Sequence, residues 1–395
     1  MKQKIGLFLK AKNHKMLSNQ KHLFSLSNNI VYLNGAYMSP QLKSVEEIGI
    51  INLKRKGDPA SILPEHFFDQ RLVLKKRFAQ LINAQADNIA IIPSVSYGIA
   101  NAANNVPLKK GDEIILVDEQ FPSNVYAWNH VAERNGAHTK VVLHPSGTEN
   151  RAKKWNELIL KAITNKTAVV AMPHAHWADG TLFNLKAIRE KTLSVGARLI
   201  IDGTQSVGAF PFDVTAIQPD ALICGGYKWL MGPYSLGVAY YNETFFEGTP
   251  IEHNWMNRHE SENFSKLVDY QDQYQPGAAR YSVGESSNFV LTPMLSRAIE
   301  QLLEWKPESI QEYCHEISKE AIEKLRQLSC FVEDDTFRTK HLFGIYLPDN
   351  INMSMVKEKM AERNIIVSFR GNAIRISPHL YNTKEDFDML VRCFQ

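Results

Sequence analysis

Residues 199–231 read LIIDGTQSVGAFPFDVTAIQPDALICGGYKWLM. The segment holds two short apolar runs. Leu199-Ile200-Ile201 delivers an acid, Asp202, into a turn, and Ala221-Leu222-Ile223-Cys224 delivers Gly225-Gly226-Tyr227-Lys228. Buried parallel strands read as short continuous apolar runs, and open α/β sheets bind ligands at the carboxyl ends of such strands. Taken as strands of one sheet, the two runs bring Asp202 and Lys228 to the same edge. A lysine there can form a Schiff base with an aldehyde, and an aspartate can hold a pyridine nitrogen protonated. Two glycines precede Tyr227-Lys228, as where backbone passes close to something bulky. The plainer alternative is a cap and a solvated charge.

A carboxylate and an amine so placed are what pyridoxal 5'-phosphate (PLP) needs. The segment resembles the Schiff-base region of class V aminotransferases, the family that includes cysteine desulfurases, kynureninase and isopenicillin N epimerase. That pattern is an Asp, a His or Gln three residues on, then a Lys after a small-residue turn; here these are Asp202, Gln205 and Lys228. The resemblance implies a fold-type I PLP enzyme. It would have an α/β large domain with a mostly parallel seven-stranded sheet flanked by helices, over residues 29–270. A small α+β C-terminal domain would follow over 271–395, with an N-terminal arm over 1–28. It implies that Lys228 and Asp202 are catalytic, that Gln205 bonds the cofactor's phenolic oxygen, and that Tyr227 helps to hold its phosphate.

The same resemblance extends outward. Ile30-Val31-Tyr32-Leu33 is a strand-like run into Asn34-Gly35-Ala36, a small-residue turn that would meet the substrate; it reads equally as a plain strand-to-loop turn. Ile89-Ala90-Ile91-Ile92-Pro93 runs into Ser94-Val95-Ser96, and small residues at a helix start form an anion site. The match makes this the phosphate cup, with Val95 giving a backbone N–H and Ser96 a hydroxyl; an ordinary Ser N-cap is the alternative. After the strand 112–117, Phe121 takes the position that stacks on the pyridine ring, where desulfurases carry His. After the strand 168–172, His174, His176 and Asp179 lack a third His or Cys nearby, so a metal site is not expected. Trp177 stands where desulfurases have Asn and implies an aromatic pocket wall at the cofactor. Trp255 falls near a substrate-contacting Trp of kynureninase. Residues 277–287 resemble a loop that completes the neighbouring subunit's phosphate site, with Ser286 or Ser287 acting in trans in a homodimer. Arg375, before Ser377-Pro378, matches the Arg that grips the substrate α-carboxylate, for which a planar guanidinium is suited.

Composition bounds the rest. The chain has 395 residues and a formal charge of +3, too near neutral to argue for nucleic acid or a membrane surface. No run reaches the ~18 apolar residues of a membrane span. Four cysteines without paired spacing read as reduced thiols in a cytoplasmic protein. No Cys lies between Cys330 and Cys393, so the loop nucleophile of a cysteine desulfurase or selenocysteine lyase is missing. The expected activity is transamination of an amino acid. Kynureninase-like C–C cleavage or epimerisation stands as the alternative, and a non-catalytic partner protein of the same fold as the answer from another class.

Overall fold

The computed structural model describes residues 16–395. Its strands are β1 (Val31–Tyr32), β2 (Ile89–Ile92), β3 (Glu113–Val117), β4 (His138–Val142), β5 (Thr167–Pro173), β6 (Arg198–Asp202), β7 (Ala221–Gly225), β8 (Gly237–Tyr241), β9 (Phe343–Tyr346), β10 (Ile365–Ile366), β11 (Ser368–Arg370) and β12 (Ala373–Ile376). Seven form one sheet in the order β2-β8-β7-β6-β5-β3-β4. Only β8 runs against its neighbours; β4, β3, β5, β6 and β7 are parallel. This is the mostly parallel seven-stranded α/β architecture expected of fold-type I.

The strands at the centre are apolar throughout because both sheet faces are covered. Alternate side chains feed two cores. Ile89 and Ile91 enter one, while Ala90 and Ile92 enter the other with Ile99 and Trp128 from the helices Val95–Asn105 and Tyr126–Asn135. β4 carries no continuous apolar run, since only Val142 of its five residues is buried. That edge strand was invisible to a reading that sought such runs.

β6 and β7 pair in parallel, with Asp202 opposite Ile223. Asp202 is therefore the last residue of its strand, and Lys228 lies three residues past the end of the next. The chain then reverses tightly into β8. A Cβ on Gly226 would lie 2.4 Å from the Leu236 carbonyl oxygen, so only glycine admits this reversal.

The small sheet β11-β12-β9 is antiparallel, with Arg375 on its central strand. Two contacts redraw the expected partition. β1 pairs in parallel with β10, so Val31–Tyr32 joins the C-terminal region. Conversely, Gly277–Tyr281 packs on β2, and the helix Leu291–Trp305 packs on the helices Lys43–Arg55 and His66–Ile82. Much of the arm expected over 1–28 lies outside the described residues, but its end, from 16 onward, is anchored. Phe24 is buried edge-on against Tyr381, and Gln20 N donates to Leu380 O at 2.7 Å. A single apolar aromatic in a polar segment supplies that anchor. All four cysteines are free and buried. Among the described residues no helix is long and apolar enough to cross a membrane.

Candidate active site

A cavity of about 320 Å³ opens at the carboxyl ends of β2, β3, β5, β6 and β7. It is lined by Val95, Ser96, Phe121, Trp177, Asp202, Gln205, Tyr227 and Lys228, eight of the twelve residues singled out in the sequence. Asp202 and Lys228 are each 7% exposed. Burial pushes the Asp202 carboxyl up, against hydrogen bonds from Thr204 and the Lys228 charge, which hold it down. Burial brings the Lys228 amine down to about 8; the Asp202 charge acts against this, and Arg375 and Arg370 reinforce it. The amine is thus a base within reach of neutral pH rather than a permanent cation.

Each group is held from behind. Thr204 N donates to Asp202 Oδ1 at 2.9 Å, and Gly225 N donates to Thr204 Oγ1 at 3.2 Å, which ties the end of β6 to that of β7. Ser39 Oγ donates to the Lys228 carbonyl at 2.6 Å. Lys228 Nζ lies 5.3 Å from the Phe121 ring centroid and 5.5 Å from that of Tyr227. Phe121 in turn meets Trp177 edge-on at 5.6 Å. Ser94 caps the helix Val95–Asn105, accepting from Tyr97 N at 3.2 Å, and its hydroxyl sits 2.9 Å from that of Ser96. The N-cap reading of this segment therefore holds for Ser94. Sequence reasoning passed over Thr204 and Ser39; no periodicity marks them, because their partners are distant in the chain.

Gln205 lines the cavity with its amide engaged at both ends. Nε2 donates to Ala36 O at 3.1 Å, and Oε1 accepts from Trp229 Nε1 at 2.9 Å. Arg375 lies just behind Trp177. Its Nη1 donates to Trp177 O at 2.9 Å and its Nη2 to Ser368 Oγ at 3.3 Å, while its buried Nε has no partner. Ser368 Oγ donates onward to Asn34 Oδ1 at 2.7 Å. Asn34 thus reaches the site through the Arg375 support.

Two expected residues lie apart. Trp255 stacks among Phe67, Phe68 and Phe264 and lines a separate cavity with His253 and Tyr270. Ser286 is 1% exposed, with its hydroxyl 3.7 Å from Met256 Sδ. Both are drawn away from the cavity of their own chain by local packing. His176 Nδ1 lies 3.5 Å from Asp179, which Arg151 also holds at 2.6 Å. Among the described residues no three His, Cys, Asp or Glu side chains are grouped to hold a metal ion.

The cavity can be tested against PLP from its donors alone. It offers a buried carboxylate for a ring nitrogen, an amine for an aldehyde and an aromatic wall. It also offers two hydroxyls at a helix N-terminus for a phosphate. The residues fit. The aminotransferase class-V family model matches residues 65–390, and the chain belongs to that family. Its cofactor is pyridoxal 5'-phosphate.

Among curated relatives, the uncharacterized aminotransferase YcbU of Bacillus subtilis (strain 168) is 23% identical over 318 residues, covering 79% of this chain and 80% of that one. A cysteine desulfurase of Synechococcus elongatus is 28% identical over 219 residues, 55% of this chain but only 33% of the relative. Of solved structures, the cysteine desulfurase CsdA of Escherichia coli superposes with a TM-score of 0.77 at 20% identity, covering 94% of this chain and 96% of that one. A C-DES mutant with glycine covalently linked to PLP gives 0.82 at 19%, covering 96% and 100%. At such identities these structures establish the fold.

Proposed function

We propose that the protein is a class V aminotransferase that moves the α-amino group of an amino acid. The observation that carries this is Lys228 facing Asp202 in one cavity, with the Arg375 guanidinium behind the Trp177 wall. When bound, PLP supplies an aldehyde that captures the amine and a protonated ring that draws electrons from Cα. Val95 N–H, Ser96 and Tyr227 would hold its phosphate, Gln205 its phenolic oxygen, Phe121 its ring face and Asp202 its ring nitrogen. Arg375 fixes the substrate carboxylate. Lys228, with its lowered basicity, would take and hold the Cα proton. Phe121 and Trp177 exclude water from that exchange.

The cysteine record argues against desulfuration. A persulfide mechanism needs an exposed, low-pKa thiolate, and here every thiol is buried. The same four unpaired thiols support a cytoplasmic location. Exposed Ile50, Ile51, Leu72 and Val73 on the N-terminal helices, with Leu63 in the loop between them, support a homodimer, with Trp255 and the Ser286 loop near a shared boundary. The test is a panel of amino acids added to PLP-loaded protein. A pyridoxamine spectrum and a keto acid product are expected. Alanine released from a kynurenine, or the mirror-image amino acid, would move the assignment to lyase or epimerase.

A further inference from the structure

Arg370 is the last residue of β11 and neighbours Trp177, which lines the cofactor cavity. The Arg370 and Arg375 guanidinium carbons lie 5.5 and 5.9 Å from the same Trp177 ring centroid. Among the described residues, neither arginine has a carboxylate oxygen within 4.0 Å. Arg370 makes one hydrogen bond, from Nη1 to the Phe369 carbonyl at 2.8 Å, which leaves most of its donors free. Arg370 also lines a second cavity of about 290 Å³ with Glu119, His144, Arg151 and Tyr346. Arg151 is already taken, since its Nη1 is 2.6 Å from Asp179. His144 Nε2 is 3.8 Å from Asp118. Glu119 is the one carboxylate on that wall and does not pair with Arg370. The indole of Trp177 is held by its Nε1–H to the Glu119 carbonyl at 2.6 Å, so the ring that both guanidinium groups border is fixed in place. The Arg370 charge also reaches Lys228 and Arg375, lowering the basicity of both.

Two like charges beside one ring, without an acid, leave an anion vacancy larger than one α-carboxylate fills. We infer that Arg370 is a specificity-determining residue that receives a second acidic group, so the substrate class is amino acids with an acidic side chain. This rests on the aminotransferase reading only for the α-amino end; the anion site at Arg370 stands on its own geometry. Arginine suits it because its planar fork binds a carboxylate bidentately.

The test compares acid with amide: glutamate with glutamine and aspartate with asparagine, in wild type, R370Q and R370K. Wild type should favour the acid at least tenfold in kcat/KM. R370Q should abolish that preference, at least a tenfold loss for the acid carried by KM, and R370K should restore part of it. In parallel, glutarate and butyrate are titrated into the PLP-loaded protein by calorimetry. Glutarate should bind at least tenfold tighter, and R370Q should erase the difference. Wild type that prefers the amide, or R370Q that weakens acid and amide alike, overturns the inference. Should no amino acid transaminate while glutarate still binds through Arg370, the aminotransferase reading falls and the anion site stands. Should turnover proceed with no acid preference, the reverse holds.

Discussion

Two pairs of charges meet in this molecule, and they are opposites. Asp202 and Lys228 are a carboxylate and an amine at adjacent strand ends, each offsetting what burial does to the other. Arg370, half-buried, and Arg375, buried, are two guanidinium groups beside Trp177, each without an acid. Burying a charge without a partner is costly. The first pair answers that cost within the chain, and under the proposed function it would be a self-sufficient anchor for the cofactor. The second leaves it open, and a ligand must supply the missing charge. The contrast separates the part of the site that serves the family's chemistry from the part that selects the substrate.

Breaking the first pair should cost most. A positioned base contributes about 10²–10⁴-fold, so K228A should lose at least a thousandfold in kcat, together with the near-visible absorbance of the PLP-loaded protein. Retention of that band would place the covalent amine elsewhere. Breaking the second pair should cost less and act mainly on KM. Removing a charged hydrogen-bond donor is worth about 1.5–3 kcal/mol, so R375Q should lower kcat/KM roughly ten- to hundredfold while the absorbance persists. Equal loss of the band in both variants would dissolve the contrast.

A third set of groups shows what the chain does where no charge is wanted. His174, His341 and His379 are fully buried beside Trp229 and Phe210, and burial pushes them down to about 3, 4 and 3. An unfolded histidine titrates near 6.5. Between pH 6.5 and about 4 the unfolded chain therefore binds more protons than the folded one, and stability falls as pH falls through that window. Each histidine adds a slope of about 1.4 kcal/mol per pH unit. Both His379 nitrogens lack partners, so H379F should fold and flatten the acid limb by one such increment in denaturant titrations at pH 4–6.5. An unchanged slope would mean that His379 is charged in the folded protein.

Much of the site was legible because its residues are punctuation at strand ends. Asp202 and Lys228 follow unbroken apolar runs, and Ser94-Val95-Ser96 follows another, so local pattern alone put them on one edge. Arg375 was reached through the resemblance of its segment, ahead of Ser377-Pro378, to that of the family. What stayed hidden depends on contacts across the chain. Thr204 matters because Gly225 is beside it in the next strand, and Ser39 because Lys228 is. Arg370 carries no local mark; only the fold places it beside the indole that Arg375 also borders. The assignment of Val31–Tyr32 to the C-terminal region was illegible for the same reason, since two residues carry no sign of their partner strand.

The smallest expected effect is also the sharpest comparison of the two pairs. Lys228 responds to both: Asp202 raises its basicity, and Arg375 and Arg370 lower it. The lysine of the cofactor-free protein should therefore titrate near 8 rather than at the 10.5 of a free side chain, and substitutions on the two sides should move it in opposite directions. D202N removes an attraction for the protonated amine, so the pKa falls further. R370Q removes a repulsion, so it rises. Arg370 is the weakest of the three charges acting on Lys228, so R370Q should move the amine less than D202N does. NMR titration of carbon-labelled lysine in the two variants would resolve both shifts. Shifts of the same sign would mean that Asp202 and Arg370 do not act on Lys228 as opposite charges, and the division between an answered and an unanswered pair would fail at the one amine that feels both.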